Sequence, residues 1–364
     1  MKRLLFSLSF MGIMFFWTLP SWPQMLSKGN GDLRIMTYNI NEGTDYLEVQ
    51  AATTPGQFVL AVGATIYQVR ATDTHGRMKA VAKQIIAAAP ALASLQEIDS
   101  WFTSSYNPVT GQCGTPTLEF DMLADLTAAL NEQGAHYQVA KLKQQWAIPM
   151  VPGYIYQTNT FVCVGVLDYI AVLARTDLPN LVITSTDAQD YQHILYFPLP
   201  DGRTLPFPRA WISVDATFNG KPFRLINSHL ESTNIGDIRR QQGGELRLGP
   251  ANTSLPVIVA FDSNSQAYPY PQDPTYTDFM SAGFVDAWSA RHPNLPGYTS
   301  GQDQFLTNPE SKLNTRIDLI LLLGRIVPQR IALFGDTQDS KTPGGLWASD
   351  HAAVAAQLNV QRVP

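Results

Sequence analysis

The sequence predicts a single mixed α/β domain, and three observations carry that expectation. Short β-rich apolar runs alternate with a few helical patterns, many Pro/Gly turns separate them, and the chain is long enough to bury a full core. It has 364 residues, 45% hydrophobic and 15% charged. At roughly 100–200 residues per domain that allows one large domain or a few small ones, and the composition is not that of a disordered chain. Two cysteines exclude a disulfide scaffold, a zinc ribbon or an iron–sulfur framework. Twenty-five basic and 30 acidic residues give a net charge of −5. That argues against a simple basic groove for nucleic acid, but not against an enzyme that meets phosphates through a metal.

The first element is not part of the domain. Lys2 and Arg3 precede an uncharged apolar run, Leu4 to Leu19, which Pro20 and Pro23 end. Charge, apolar run and breakers stand in the order of a secretory signal peptide, placed over residues 1–24, and the expected location is secreted or periplasmic. The alternative is an uncleaved amphipathic or anchor helix. The run is shorter than the ~20 residues that span a bilayer, and no later stretch is long and apolar enough, so no transmembrane segment is expected in the mature chain. Residues 25–31 read as a polar linker. In an oxidising compartment Cys113 and Cys163 either pair or remain two buried thiols; the sequence leaves both open.

The domain follows. Leu33–Tyr38 reads as a strand. Arg77–Ala89 reads as a helix, because Met78, Val81, Ala82, Ile85 and Ile86 recur at steps of three and four, and Pro90 stops it. Ala91–Leu95 is a buried strand. Leu118–Asn131 is a second helix with Gly134 just beyond its end. Tyr169–Ala174, Trp211–Phe218, Phe223–Asn227, Val257–Ala260, Ile317–Leu323 and Ala352–Leu358 read as strands. The polar, aromatic, Gly/Pro-rich stretch Ile98–Leu118 reads as a long surface loop.

Several of these apolar strands end abruptly in acids, amides or histidines. LRIMTY ends in Asn39 and Asn41, ALASL in Gln96 and Glu97, FRLIN in Ser228 and His229, and LPVIVAF in Asp262, Ser263 and Asn264. Asp318 lies inside TRIDLILLL, and Ser349-Asp350-His351 opens AAVAAQL. Buried carboxylates and imidazoles are costly unless paired or metal-bound, so the repeated pattern suggests one shared polar site at an edge of the sheets.

The segments TYNIN (37–41), LQEID (95–99), NSHLES (227–232), FDSN (261–264), TRIDLI (315–320) and SDH (349–351) together resemble the endonuclease/exonuclease/phosphatase superfamily, in that family's order and over nearly the whole mature chain. The resemblance implies a four-layer α/β/β/α sandwich of two facing mixed sheets flanked by helices, the deoxyribonuclease I-like fold, over residues 32–364. Neither G-x-G-x-x-G nor G-x-x-x-x-G-K-[ST] is present, which sets aside a Rossmann or P-loop reading.

The resemblance also implies roles. Glu97 is the principal ligand of Mg²⁺ (Mn²⁺ or Ca²⁺ being alternatives), with Asn39 close by, Asn41 a further metal-site residue or a plain turn former, and Asp350 a second metal-site carboxylate or a loop Asp. Asp318 and His351 form a pair at the scissile phosphate; the competing reading pairs Asp318 with Arg316. Asp262 orients or deprotonates the attacking water and Asn264 holds it or a phosphate oxygen; two residues apart on an extended chain, both face one way. The family usually has Gly where Phe261 stands. His229 is a phosphate contact or general acid, supported by Asp168. Arg209 contacts phosphate or makes a surface salt bridge.

The implied activity is a secreted, divalent-metal-dependent phosphoesterase that cleaves a phosphodiester by in-line water attack, nuclease-like. The substrate is nucleic acid, a phospholipid or a small phosphodiester, and no stable protein partner is inferred. A sphingomyelinase-like phospholipase C, a phosphomonoesterase and a non-catalytic binding module on the same fold are the alternatives. Aromatics in 100–106, 154–156 and 268–270 fit a membrane interface or simple loop packing. Lys141–Lys143 and Arg239, Arg240 and Arg247 touch a polyanion or sit on solvated faces. Substrate choice is assigned to the segments 42–76, 100–117, 143–165 and 265–314, read as loops.

Overall fold

A strand buried on both faces is mainly apolar on both, and the central strands of this chain are of that kind until they near their ends. The computed structural model describes residues 32–361 except 201 and 234. The signal peptide and linker expected over 1–24 and 25–31 lie outside the described residues. In Leu33–Asn39, Leu33 and Ile35 face one core while Met36 and Tyr38 face another. Leu92–Gln96 and the C-terminal half of Thr160–Arg175 divide in the same way.

Two sheets result. The eight-stranded sheet runs Ile326–Phe334, Ala353–Val360, Leu33–Asn39, Leu92–Gln96, Thr160–Arg175, Ser100–Ser104, Thr117–Asp121, with Tyr137–Ile155 on the other side of Thr160–Arg175. The six-stranded sheet runs Val285–Asp286, Asp318–Leu323, Val257–Asp262, Lys221–Ser228, Ala210–Phe218, Leu181–Asp190. Both mix parallel and antiparallel pairs. One core fills the space between the sheets. A second lies between the larger sheet and the helices Thr74–Ala88 and Met122–Glu132. A third lies between the smaller sheet and the helices Ile238–Leu248 and Pro274–Ser281. This is the four-layer α/β/β/α sandwich of the deoxyribonuclease I-like fold.

Local chemistry explains where boundaries move. The expected helix from Arg77 starts at Thr74, because the Asp73 side chain accepts from Gly76 N; it ends at Ala88, with Ala89 in the left-handed region before Pro90. The helix expected from Leu118 starts at Met122, because residues 117–121 pair with Ser100–Ser104 and Asp121 caps it through Ala124 N. The stretch Ile98–Leu118 is therefore not a loop: Ser100–Ser104 also pairs with Thr160–Arg175, and Trp101 is buried. Apart from the buried Asp99, its polar residues are half-exposed or exposed. The segments expected as loops are also largely regular. Residues 42–76 hold the helices Leu47–Ala51 and Pro55–Ala71; Thr54 and Gln57 form a capping box and Pro55 opens the second helix. Residues 143–165 lie mostly in the paired strands Tyr137–Ile155 and Thr160–Arg175, and 265–314 includes the helices Pro274–Ser281 and Ala287–Arg291. Among the described residues no helix is long and apolar enough to cross a membrane.

Cys113 and Cys163 form a disulfide, with Cα atoms 5.8 Å apart and a sequence separation of 50. It ties the short Tyr106–Asn107/Gln112–Cys113 hairpin to the larger sheet. Closing a loop of that length restrains the unfolded chain by up to about 4 kcal/mol. Cys113→Ser with Cys163→Ser is expected to lower the urea midpoint by a corresponding amount under oxidising conditions, with the difference vanishing in reductant.

Candidate active site

The polar site grows out of the core along the facing strands. On the inter-sheet side, Ile258 and Ala260 are followed by Asp262, and Leu322 and Ile320 by Asp318; Asp262 and Asp318 stand opposite each other in the ladder. Thr37, Gln96 and Asn227 form a buried polar layer just before them. Gln96 Nε2 donates to Asn227 Oδ1 at 2.6 Å, and Asn227 Nδ2 donates to the carbonyls of Leu95 and Ala171 at 3.0 and 2.8 Å. That layer satisfies every amide it buries while fixing one sheet against the other.

Beyond it the predicted residues converge. Asn39 Nδ2 donates to Glu97 Oε1 at 2.8 Å and to Asp262 Oδ2 at 3.0 Å. Its own oxygen accepts from Asn41 N at 3.0 Å, so Asn39 aims two carboxylates rather than offering an oxygen to a cation. Glu97 adopts φ +54° directly after its strand, which turns its carboxylate into the cleft, and its Oε2 accepts from Glu42 N at 3.1 Å. Burial, and then the Asp350 carboxylate, push Glu97 up to about 7. Asn41 sits in a turn: at φ +60° its Oδ1 accepts from Gly43 N at 2.7 Å, the turn-forming one of its two readings.

His351 Nδ1 pairs with Asp318 Oδ2 at 2.8 Å, leaving Nε2 as its other ring nitrogen. Burial would lower its pKa, but Asp318, Asp350 and Asp262 outweigh burial and hold the imidazolium well above the usual range. Arg316 pairs instead with Asp286, which removes the competing partner for Asp318. Burial and the facing Asp318 push Asp262 up to about 6. Asp262 Oδ1 accepts from Asn264 N at 2.8 Å, and Asn264 has φ +47°. Both side chains do reach the cleft, through a left-handed turn rather than an extended chain. Phe261 points the other way, edge-on to Phe279 at 5.7 Å in the outer core, and does not crowd the site.

His229 is held differently from expectation. Arg209 Nη1 lies 3.1 Å from His229 Nδ1 and can only donate, so Nδ1 faces a donor, and Nε2 is the nitrogen turned toward the carboxylates. That nitrogen lies 3.5 Å from Asp262 Oδ2 and 3.9 Å from Glu97 Oε1. Asn264 Nδ2 is 3.0 Å from the same nitrogen, while donating to Leu230 O at 2.9 Å. Burial, Arg209 and His351 push His229 well below its usual range, so it is neutral. Asp168 does not support it. Asp168 is buried in a cluster with Glu42 and Asp99, and burial raises it to about 6. Arg209 is no surface residue either: it is buried between His229 and Glu231, whose Oε2 is 3.4 Å from its Nε.

Sequence reasoning missed Glu231, Glu42 and Asp99, although each stands inside or next to a quoted segment. It also missed Arg77, for which no local signal exists. Arg77 is fully buried and donates to the carbonyls of Ile40, Asn41, Thr72 and Ala348, joining the turn after Asn39 to the segment before Asp350. Arg77→Met leaves these carbonyls unpaired and is expected to cost about 3–5 kcal/mol, read as a drop in the denaturation midpoint.

The residues fit a hard divalent cation. Glu97 and Asp350 offer oxygen donors at one cleft, and Asp318 Oδ1 is buried without a partner. Asp262, Asp318 and His351 have ligand atoms within 4.8 Å of one another.

No protein-family model and no curated protein matches the sequence. Solved structures do match in fold. An endonuclease/exonuclease/phosphatase family protein from Leptotrichia buccalis superposes with TM-score 0.55 at 14% identity, covering 90% of this chain and 99% of that one. A humanized D. rerio TDP2 gives 0.51 at 16% identity, covering 90% and 99%. A mannosyl-6-phosphatase from Bacteroides thetaiotaomicron gives 0.50 at 14% identity, also covering 90% and 99%. With the paired sheets, their order and the polar cleft at one end, the chain has the fold of the endonuclease/exonuclease/phosphatase superfamily.

Proposed function

We propose that the chain is a divalent-metal-dependent phosphodiesterase in which water attacks phosphorus in line, without a covalent enzyme intermediate. The observation that carries this reading is the convergence of Glu97, Asp262 and the Asp318–His351 pair at the mouth of the sandwich. A bound cation would stabilise charge on the phosphate and on the leaving oxygen. Glu97 and Asp350 would hold it, with Asn39 keeping the Glu97 carboxylate in place. Asp262, raised to about 6, accepts the proton of the attacking water. Asn264 fixes the turn that aims Asp262. His351, kept as imidazolium by Asp318, neutralises charge that develops on the phosphate. His229, held neutral by burial and Arg209, turns Nε2 toward the reacting end of the cleft and is placed to contact the phosphate rather than to act as a general acid. Arg209 acts through His229 by holding its Nδ1 side.

The Cys113–Cys163 disulfide supports export to an oxidising compartment, as the N-terminal pattern suggests. The stereochemical course at phosphorus tests the reaction. A diester made chiral by sulfur at phosphorus should react with inversion, whereas net retention would mean a covalent intermediate and would contradict direct attack.

A further inference from the structure

The catalytic residues open into a cavity of about 1050 Å³, and most of that cavity is not polar. Glu97, His229, Asp262, Asn264 and His351 occupy one end. The remainder is walled by the helix Pro55–Ala71, the strands Tyr137–Ile155 and Thr160–Arg175, and a two-stranded ribbon, Leu195–Pro198 paired with Thr204–Phe207. The ribbon alternates strictly. Leu195, Phe197, Leu205 and Phe207 share one half-buried face, and Tyr196, Pro198, Thr204 and Pro206 share the exposed one. A lone two-stranded ribbon is marginal in water. This one is anchored where Phe207 meets Trp146, ring centres 5.0 Å apart, and its inner face overhangs Phe58, Ile148 and Val151. Apolar surface of that extent, continuous with convergent polar groups, marks a binding cleft rather than unfinished packing.

Charge narrows the occupant. Among the described residues, six carboxylates line the cavity against two guanidiniums, Arg203 and Arg209. Arg209 is engaged by Glu231 and His229. Most of the basic residues elsewhere that offered a polyanion surface are paired: Arg239 with Asp273, Arg240 and Arg247 with Asp278, and Lys143 with Asp190. A nucleic acid needs cations for the phosphates that flank the one being cut, and this cleft supplies few. An apolar chain needs none.

We infer that the substrate is a phospholipid-type diester, whose phosphate sits at the Glu97–His351 end and whose apolar chain lies in the groove beneath the Leu195–Phe207 ribbon. The inference rests on the phosphodiesterase reading and adds the substrate class to it. Each methylene that leaves water for the groove should raise kcat/KM about fourfold until the groove is filled.

The test holds the leaving group constant. Methyl, butyl, hexyl and octyl esters of p-nitrophenyl phosphate are compared below their micelle concentrations, in Mg²⁺, beside single-stranded DNA. A climb of about fourfold per methylene, a shallower climb in Phe197→Ala, and slow cleavage of DNA are expected. A rate flat in chain length, or DNA cleaved faster than the octyl ester, overturns the inference. Binding of the same esters to His351→Ala, read by calorimetry, separates the two claims. If nothing is turned over but affinity climbs with chain length, the phosphodiesterase reading fails and the groove assignment stands. If all esters are turned over and neither rate nor affinity climbs, the groove assignment fails alone.

Discussion

His351→Ala is expected to lower kcat for any phosphodiester by about 10²–10⁴-fold, the range for removal of a positioned acid–base or charge-stabilising side chain. Asp318→Asn should fall in the same range. The imidazole would remain, but without the carboxylate at 2.8 Å that fixes its tautomer and holds its proton. The two effects should not add, because both changes disable one pair; the double variant should be no worse than the poorer single one. Asp318 is fully buried, so thermal unfolding of each variant must show that the fold survives. A His351→Ala enzyme within threefold of wild type would remove this pair from the reaction.

The second large effect is expected at Glu97. Glu97→Gln keeps an acceptor for Asn39 Nδ2 and removes the charge. Loss of an outer-shell partner already costs about 10–100-fold in metal affinity, so loss of the principal carboxylate should raise the Mg²⁺ needed for half-maximal turnover by at least about 100-fold. Asn41→Ala should shift that requirement little, because its side chain closes a turn onto Gly43 N. Titration of activity against Mg²⁺ for the three chains checks both statements. Equal requirements in wild type and Glu97→Gln would place the cation elsewhere.

The sequence made the central strands and the acids at their ends legible for one physical reason. An apolar strand that stops in Asp, Asn or His has reached the rim of the core, and Leu92–Gln96 before Glu97, or Val257–Ala260 before Asp262, states that directly. The edge strands were hidden. Tyr137–Ile155 and Leu181–Asp190 each show a half-exposed face, so their runs break into polar residues and resemble loops. The helix that walls the groove has a local start signal in the capping box Thr54–Gln57, set within a polar, Gly-containing stretch that otherwise resembles a loop.

Among site residues, type was easier to read than partnership. His229 was recognisable from NSHLES, but the group on its Nδ1 comes from Arg209, twenty residues away and just before the strand Ala210–Phe218, and not from Asp168. Asn39 stood in the expected place, yet its hydrogen bonds give it a positioning role. Arg77 shows the limit most clearly. Its helical spacing marks it as one more position of Thr74–Ala88, and only the folded chain reveals that it ties together the turn after Asn39 and the segment before Asp350.

The most direct measurement is hydrolysis of methyl p-nitrophenyl phosphate by the purified chain, with Mg²⁺ and with EDTA, for wild type, Glu97→Gln and His351→Ala. Turnover by wild type that EDTA abolishes, and that both substitutions depress at fixed Mg²⁺, is the expected result. Turnover that survives EDTA, or that both variants retain in full, would contradict the assignment of this cleft as a metal-dependent phosphodiesterase centre.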